Sequence, residues 1–269
     1  MRRVDQRPGS TEAVVRMPSA RAPPGDPPAG AIRLLGGTVK WLVWDFDGTL
    51  AYRVGQWPAW TQALLEVLDP KSPGHGVDPE LIRPFLRTGF PWHSPEVHHP
   101  HLASADAWWG ALEPRFADAF RAAGADKARA SEMARAVRGA YLDPERWRLY
   151  EDAIPALEGL TSSGWKHALL TNHVPELPEI VGRLGLGRHV ERIFNSAQTG
   201  YEKPHPEAFR GVLEDLPDAG AIWMVGDNAE ADVTGAKAMG IPAILVRRRR
   251  EGVEPYCENL GEIAAIVDG

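Results

Sequence analysis

Short apolar runs of β-prone residues alternate with helix-like stretches along this chain, and this alternation restricts its fold more than any other feature. The apolar runs lie at Val39–Trp44, 167–170, 192–194, 221–225 and 242–246. The helix-like stretches between these runs are Ala153–Ser162, 206–213 and 232–239. Strands that alternate with helices predict a parallel sheet covered on both faces. We therefore expect an α/β fold with a Rossmann-like parallel sheet core.

The segment 51–150 interrupts this rhythm, because it holds no convincing strand. Its candidate helices are 58–68, 79–86, Ala105–Ala122 and 126–141, with a predicted loop at 89–101. A chain of 269 residues has room for one large α/β domain with such an insertion. We therefore expect an α/β core formed by 38–50 and 151–269, with 51–150 inserted after the first strand as a helical domain.

The N-terminal stretch 1–37 differs in composition from the rest of the chain. Among its Ala, Gly, Ser and Arg residues stand Pro18, Pro23, Pro24, Pro27 and Pro28. Such a composition lacks the apolar residues that a packed core needs. We therefore expect this stretch to be a disordered tail.

Charge and cysteine content restrict the partners and the compartment. The formal net charge is −6, so the chain has no general attraction to nucleic acid. No apolar run reaches the length of about 18 residues that a membrane span needs. The single cysteine, Cys257, excludes an intrachain disulfide and fits a reducing compartment. We therefore expect a cytoplasmic protein that binds neither nucleic acid nor membrane.

Polar side chains follow four of the five predicted strands. They are Asp45 and Asp47 after the first, Thr171 and Asn172 after the second, Lys203 after the third, and Asp227 and Asp232 after the fourth. Ligands bind outside the carboxyl ends of the strands in open α/β sheets. We therefore expect these side chains to meet in one crevice.

This set of side chains favours phosphoryl transfer. Clustered carboxylates repel one another, which favours a bound cation, and Mg²⁺ is typically held by a few carboxylates together with substrate phosphate. A carboxylate can act as a covalent nucleophile, while a metal ion and a lysine can neutralise charge on the transferring phosphoryl group. A second carboxylate two residues further along can serve as general acid and then as base.

The same residues resemble the motifs of the haloacid dehalogenase-like hydrolase superfamily. The matching stretches are Asp45-Phe46-Asp47-Gly48-Thr49-Leu50, Leu169-Leu170-Thr171-Asn172, Lys203-Pro204, and Val225-Gly226-Asp227-Asn228-Ala229-Glu230-Ala231-Asp232 followed by Gly235-Ala236. Order, spacing and strand context all agree with that family, from about Val39 to the C-terminus. The resemblance implies a Mg²⁺-dependent phosphatase that cleaves a small phosphorylated metabolite through an aspartyl-phosphate intermediate.

The resemblance assigns the metal and the proton transfers to three aspartates. It implies that Asp45 is the nucleophile and also a metal ligand, and that Asp227 is the second carboxylate ligand. It implies that Asp47 is the general acid and base, and that the backbone carbonyl of Asp47 also binds the metal.

The resemblance also implies roles for the remaining polar side chains. Thr171 and Lys203 would hold the phosphoryl group, and Asn172 would adjoin that site. Asp232 would lie near Lys203 or near the waters of the metal. The insertion 51–150 is similar to the helical cap of this family, which closes over the site and excludes water.

Other functions fit parts of the same pattern. A haloacid dehalogenase also uses an aspartate nucleophile, but it lacks the acidic residue that Asp47 supplies here. A phosphomutase of the same family would share every core motif, and only the cap would distinguish it. A phospho-accepting signalling module combines acidic residues with a threonine and a lysine, but it is shorter and lacks a large cap. A non-catalytic binding protein is a further alternative, although every expected catalytic side chain is present.

Features outside the motifs have weaker functional signals. The spacing of His93, His98, His99 and His101 is unlike that of a zinc site. The run 247–250 of four arginines favours a solvated basic edge over a nucleic-acid patch. Trp92, Trp108 and Trp109 are expected to pack the interior of the insertion, although a tryptophan can also line a ligand pocket.

The stretch 89–109 is the candidate for substrate selection. The core motifs contact only the phosphoryl group and the metal, so another part of the chain must contact the rest of the substrate. Trp92 and His93 lie in the most loop-like part of the insertion, and functional side chains favour such loops. We therefore expect these two residues to help distinguish one phosphate ester from another.

Overall fold

The computed structural model describes residues 38–69, 76–216 and 218–268, so the predicted tail 1–37 lies outside the described residues. The strands are β1 (Val39–Trp44), β2 (Ala51–Arg53), β3 (Trp147–Leu149), β4 (Trp165–Thr171), β5 (Val190–Asn195), β6 (Ala219–Gly226), β7 (Ala243–Val246) and β8 (Tyr256–Cys257). Six of them form one sheet in the order β5-β4-β1-β6-β7-β8, and every neighbouring pair in it is parallel. The predicted parallel sheet is therefore confirmed, and all five predicted strands form.

Apolar side chains cover both faces of this sheet, as the central strand β1 shows. Leu42 and Trp44 belong to one buried cluster, whereas Trp41 and Val43 belong to another. Successive side chains of a strand point to opposite faces, so a nearly unbroken apolar run identifies a strand that is buried on both sides. That position places Asp45, the residue after β1, at the centre of the carboxyl end of the sheet.

Helices cover the sheet and form most of the inserted segment, defined here as 51–150. The described α-helices are α1 (Ala59–Leu68), α2 (Ala105–Ala122), α3 (Lys127–Tyr141), α4 (Ala153–Ser162), α5 (Leu177–Arg183), α6 (Ser196–Thr199), α7 (Pro206–Asp215), α8 (Gly235–Ala238) and α9 (Ile263–Val267). None of the described helices is both long enough and apolar enough to cross a membrane.

The predicted helix 232–239 is correct only in part. A π-helix, Ala229–Thr234, precedes α8 without a break. The Asn228 side chain caps this π-helix by accepting hydrogen bonds from the amides of Glu230 and Ala231, each at 3.0 Å. The helical region therefore begins three residues earlier than the apolar pattern indicates.

Two predictions for the inserted segment are wrong. The segment was expected to hold no strand, yet β2 and β3 pair antiparallel with Tyr52 opposite Arg148, and three residues each are too few for a periodic pattern. The predicted helix 79–86 is instead two 3₁₀ turns, Pro79–Leu81 and Arg83–Leu86. Pro84 has no backbone N–H to donate, which prevents a continuous α-helix there.

Aromatic side chains form the interior of the inserted segment. Trp60 stacks on Tyr141 with 4.0 Å between ring centroids, and Trp108 and Trp109 are 1% and 4% exposed. The prediction that these two tryptophans pack the insertion is confirmed. Tyr141, Trp108 and Trp109 belong to the same buried cluster as Trp44 of β1, and Trp60 packs against this cluster. The inserted segment therefore packs directly on the part of the chain that carries the sheet.

Candidate active site

The structure brings all seven predicted site residues together around one cavity of about 680 Å³. The sheet side of the cavity is lined by Asp45, Asp47, Thr171, Asn172, His173, Lys203, Pro204, Asp227, Asn228, Glu230, Ala231, Asp232 and Arg248. The inserted segment contributes Trp60, Trp92, Pro95 and Tyr141. The cavity lies where β1, β4 and β6 end, as expected for an open α/β sheet.

Asp45 is held at the centre of the site from both its backbone and its side chain. Its amide donates a hydrogen bond to the carbonyl of Val225 at 2.8 Å, which continues the pairing of β1 with β6. One carboxylate oxygen accepts from Lys203 Nζ at 2.8 Å, and the other accepts from Thr49 Oγ1 at 3.2 Å. The carboxylate is therefore fixed, yet 7% of the residue stays exposed to the cavity.

The turn after Asp45 depends on Gly48. This glycine has a φ of +89°, and a Cβ there would lie 2.4 Å from Asp227 Oδ2. A side chain is therefore excluded both by the backbone conformation and by the carboxylate against it. The absence of that side chain lets the loop after β1 approach the loop after β6, which brings Asp47 and Asp227 to the same cavity.

Lys203 lies between two carboxylates at the base of the site. Its Nζ is 2.6 Å from Asp232 Oδ1 and 2.8 Å from Asp45 Oδ1. Burial alone would lower the pKa of Lys203, but the charges of Asp232 and Asp45 outweigh it and raise this pKa above its ordinary value. The charged form of Lys203 is therefore favoured, although the residue is only 3% exposed.

Asn172 holds the loop that carries Lys203. Its Nδ2 donates to the carbonyl oxygen of Lys203 at 2.9 Å, and its Oδ1 accepts from the amide of Lys203 at 2.7 Å. Because both side-chain polar atoms of Asn172 bond the backbone of Lys203, this residue positions the lysine.

Three buried carboxylates form a group that can hold a cation. Oxygen atoms of Asp45, Asp227 and Asp232 lie within 4.8 Å of one another. Burial, together with the charge of Asp45, raises the pKa of Asp227 to about 6. Asp232 is 1% exposed and already accepts from Lys203 and from the amide of Asn228 at 2.9 Å, whereas Asp45 and Asp227 are each 7% exposed. The latter two are therefore the carboxylates that fit a hard metal ion in the cavity.

Asp47 lies beside these carboxylates at the cavity surface. The residue is exposed to solvent through the cavity. Desolvation by the protein around the cavity, together with the charge of Asp45, raises the pKa of Asp47 to about 7. A carboxyl group with a pKa near neutrality can both donate and accept a proton.

Other cavity residues were not predicted to belong to the site. Trp60 and Tyr141 lie on helices of the inserted segment, where an aromatic ring has the same sequence signature as an ordinary core residue. His173 follows Asn172 directly, so its position next to a motif is a signal that could have identified it. Burial lowers the pKa of His173 to about 4, and neither of its ring nitrogens has a partner among the described residues.

The prediction of a solvated basic edge at 247–250 is wrong for its first residue. Arg247 pairs with Asp152 at 2.7 Å, and its side chain is only 14% exposed. Arg248 is exposed, but it turns into the cavity, where its Nε lies 3.0 Å from Asp227 Oδ2. A run of identical residues contains no pattern that could separate these positions.

The histidine-rich stretch of the inserted segment has structural contacts. His98 stacks on Tyr201 with ring centroids 4.0 Å apart, and His93 Nδ1 accepts from the amide of Phe90 at 3.3 Å. Among the described residues, the metal-ligating side chains that come close enough to share an ion are the three aspartates. Trp92 lines the cavity, whereas His93 does not.

The fold and the site together define a hydrolase-type α/β protein with an acidic centre at the carboxyl end of its sheet. A family model described as haloacid dehalogenase-like hydrolase matches residues 39–240, and the chain belongs to this family. The resemblance drawn from the four motifs is therefore confirmed.

Curated relatives include several phosphatases. A phosphoserine phosphatase of Thermus thermophilus is 36% identical over 242 residues, which are 81% of this chain and 92% of that protein. A ribulose-1,5-bisphosphate 5-phosphatase of Halopiger xanaduensis is 38% identical over 108 residues, which are 39% of this chain and 44% of that protein. The human haloacid dehalogenase-like hydrolase domain-containing protein 3 is 26% identical over 215 residues, 77% of this chain and 82% of that protein.

Solved structures share the fold. A putative HAD-hydrolase of Bacillus subtilis bound to magnesium has a TM-score of 0.63 at 20% identity and covers 86% of this chain and 99% of its own. A 2-haloacid dehalogenase of Pseudomonas syringae has a TM-score of 0.58 at the same identity and the same coverage. At such identities the similarity establishes the fold alone.

Proposed function

We propose that this protein is a Mg²⁺-dependent phosphoric monoester hydrolase that cleaves a small phosphorylated metabolite through an aspartyl-phosphate on Asp45. The observation that carries the proposal is the setting of the Asp45 carboxylate. It lies 2.8 Å from Lys203 Nζ and within 4.8 Å of oxygens of Asp227 and Asp232. A carboxylate next to a buried cation and a cation site is equipped to attack an anionic phosphoryl group.

In the proposed reaction, a carboxylate oxygen of Asp45 attacks phosphorus, and the bond to the ester oxygen breaks. Asp47 gives its proton to that departing oxygen, so the leaving group departs as an alcohol. Asp47 then accepts a proton from the water that attacks the aspartyl-phosphate. This second step releases inorganic phosphate and restores the Asp45 carboxylate.

The remaining side chains would hold the phosphoryl group and the metal. Lys203 neutralises charge on the phosphoryl oxygens, and Thr171, at the end of β4, offers its hydroxyl to one of them. Asp45, Asp227 and the backbone carbonyl of Asp47 would hold Mg²⁺, which when bound neutralises charge on the same phosphoryl oxygens. Asp232 would stay beneath the metal site and keep Lys203 in place.

The inserted segment would act as a cap. It contributes Trp60, Trp92, Pro95 and Tyr141 to the cavity, and its buried cluster continues into the part of the chain that carries the sheet. A cover of this kind excludes water from a reactive acyl-phosphate. We therefore propose 51–150 as the cap, with 38–50 and 151–269 as the catalytic core.

The names of the relatives support a phosphate ester as substrate. The Thermus thermophilus relative is a phosphoserine phosphatase, and a Methanopyrus kandleri relative that is 31% identical over 122 residues is a glyceraldehyde 3-phosphate phosphatase. Dehalogenases occur among the structural neighbours, but their resemblance concerns the fold. Asp47, which has no counterpart in dehalogenases, favours the phosphatase.

Phosphate release from a panel of phosphorylated metabolites tests the proposal. The purified protein should release inorganic phosphate with Mg²⁺ present, lose this activity in EDTA and regain it when Mg²⁺ is added back. Activity that persists unchanged in EDTA would contradict the metal requirement. Release of halide from 2-haloacids, without phosphatase activity, would favour the dehalogenase instead.

A further inference from the structure

Two cationic side chains line the described part of the cavity, and they are held in opposite ways. Lys203 is buried and bonded to two carboxylates. Arg248 has a side chain that is 76% exposed, and an ion pair joins its Nε to Asp227 Oδ2 at 3.0 Å. An ion pair with so exposed a partner is worth little free energy, so the guanidinium can leave Asp227 at small cost.

The backbone that carries Arg248 is fixed by its neighbour. Arg247 has a φ of +62°, in the left-handed region that non-glycine residues rarely adopt. Its guanidinium carbon lies 3.6 Å from the ring centroid of Tyr150, its Nη2 pairs with Asp152, and its Nε donates to the carbonyl of Thr49 at 2.8 Å. Arg248 is therefore an exposed side chain on a fixed backbone, and it lines the cavity.

The proposed metal site removes the partner that Arg248 has in this structure. Asp227 Oδ2 faces Arg248 here, and the proposed function assigns Asp227 to Mg²⁺. A divalent cation held by Asp227 would repel the nearby guanidinium and would compete with it for this carboxylate. Arg248 then loses this ion pair and is free to meet another anion in the cavity, because Asp45, Asp227 and Asp232 are committed to the metal or to Lys203.

We propose that Arg248 forms a subsite for a second anionic group, so the substrate is a phosphate monoester that also carries a carboxylate or a second phosphate. This inference rests on the proposed function. In the part of the chain that the structure describes, five acidic side chains line the cavity: Asp45, Asp47, Asp227, Glu230 and Asp232. These carboxylates would repel a second anionic group of the substrate unless a cation paired with it. Lys203 is already bonded to two carboxylates, so Arg248 is the lining cation available for this pairing. Its planar guanidinium suits bidentate pairing with a carboxylate or phosphate.

Two pairs of esters, each differing in a carboxylate, test the subsite. O-Phosphoserine is compared with O-phosphoethanolamine, and phosphoglycolate with ethyl phosphate. The protein should turn over the carboxylate-bearing member of each pair with the higher kcat/KM. Arg248→Ala should lower kcat/KM for these two esters about 10- to 100-fold, mostly through KM, as expected when a charge-assisted pair is removed. The two esters without a carboxylate should change less than about 2-fold.

Arg249→Ala is the matched control. Arg249 is the next residue, is exposed, and pairs with Glu254 at 3.4 Å outside the cavity lining. This variant removes the same charge from the same loop. Because Arg249 lies outside the cavity lining, kcat/KM should be unchanged for all four esters. An equal loss in both variants, or an equal loss for both members of each pair in Arg248→Ala, would overturn the subsite.

Magnesium affinity supplies a readout that does not depend on turnover. By calorimetry without substrate, Arg248→Ala should bind Mg²⁺ more tightly than the wild type, because the cation that competes for Asp227 is gone. Arg249→Ala should match the wild type. Weaker Mg²⁺ binding in Arg248→Ala would contradict the competition on which the inference depends.

Binding to a variant that cannot form the aspartyl-phosphate separates the subsite from the proposed reaction. In an Asp45→Asn background with Mg²⁺, phosphoglycolate should bind more tightly than ethyl phosphate, and Arg248→Ala should remove the difference. If this difference is seen but the wild type releases no phosphate from any ester, the proposed function is wrong and the anion subsite stands. If the wild type hydrolyses the esters but the difference is absent, the subsite is wrong and the proposed function stands.

Discussion

The two walls of the cavity differ in their chemistry. Among the residues that the structure describes, every charged lining residue lies on the sheet side, whereas the inserted segment supplies three aromatic rings and a proline. One of these rings, Tyr141, stays neutral, because burial raises its pKa well above the ordinary value. Charged side chains can stabilise the phosphoryl group during its transfer. Aromatic rings provide apolar contact and a shape that fits the substrate. This difference predicts that bond breaking depends on the sheet side of the cavity and that the choice of leaving group depends on the inserted segment.

The two walls also differ in how they are held. The charged wall is fixed by directional bonds, such as those that clamp Lys203 between Asp45 and Asp232. The aromatic wall is held by stacking, with Phe90 and Trp92 at 4.7 Å between centroids. Hydrogen bonds and ion pairs fix atoms to a fraction of an ångström, as chemistry requires. Ring packing tolerates changes of side chain more readily, which suits a surface that selects among substrates.

Removing the nucleophile should have the largest effect. Asp45→Asn keeps the shape of the side chain but supplies an amide, which is a far weaker nucleophile and metal ligand. The rate of phosphate release should fall by a factor on the order of 10⁴ to 10⁶, as when a nucleophile is removed from other covalent enzymes. Circular dichroism should show that the variant remains folded. Near wild-type turnover in the folded variant would place the chemistry elsewhere.

Asp47→Asn should slow the reaction while leaving Mg²⁺ affinity largely intact, because its proposed contact with the metal is through the backbone carbonyl. Removal of a general acid and base typically costs about 10²- to 10⁴-fold in rate. The loss should be smaller for p-nitrophenyl phosphate than for an alkyl phosphate, because its leaving group needs no proton. Equal losses for the two esters, with the same step limiting both, would contradict the acid role.

The charged wall was accessible from the sequence because its residues follow strands. Asp45 and Asp227 each come directly after a β-rich apolar run, and the topology of a parallel sheet then brings them together. Lys203 lies eight residues beyond β5, so its place after a strand predicted its side of the sheet, and the motif Lys203-Pro204 supported the assignment. The sequence shows the chemical types of these residues and their order along the chain. The parallel sheet then brings the strand ends that carry them to one edge.

Of the other cavity residues, Trp60, Tyr141 and Arg248 were not accessible in the same way. Trp60 and Tyr141 sit on helices at positions whose apolar periodicity predicts burial, and nothing local shows that one edge of a ring reaches the cavity. The direction of Arg248 depends on the left-handed backbone of Arg247 and on its pairing with Asp152, 95 positions earlier in the chain. Such contacts between distant residues leave no periodic pattern in the sequence. Strands as short as β2 leave none either, so they were not predicted.

Metal binding should stabilise the protein through the charged wall alone. Mg²⁺ at about 100 times its dissociation constant should add about 2.7 kcal/mol to the free energy of unfolding, seen as a rise in Tm. Asp227→Asn removes a proposed carboxylate ligand and should abolish this rise. Trp92→Ala should retain it, because the aromatic wall does not contact the metal. A rise that survives in Asp227→Asn and disappears in Trp92→Ala would reverse the assignment of the two walls.

The smallest expected effect is on substrate choice, and it separates two neighbouring residues. The sequence favours both Trp92 and His93 as selectors, but Trp92 lines the cavity, whereas the His93 ring accepts a hydrogen bond from the amide of Phe90. Trp92→Ala should therefore change the relative kcat/KM of different phosphate esters, by about 1 to 3 kcal/mol for each group of the substrate that the ring touches. His93→Ala should scale all esters alike, since it alters only the turn that supports the ring.

The comparison is made on folded variants with unchanged Mg²⁺ affinity, so that effects on the charged wall are excluded. If Trp92→Ala scales every ester equally, the aromatic wall excludes water without selecting substrate. If His93→Ala changes the ranking of esters as much as Trp92→Ala does, selection depends on the shape of the whole turn and not on a single ring. Either result would leave the chemistry with the sheet and would redefine what the inserted segment contributes to it.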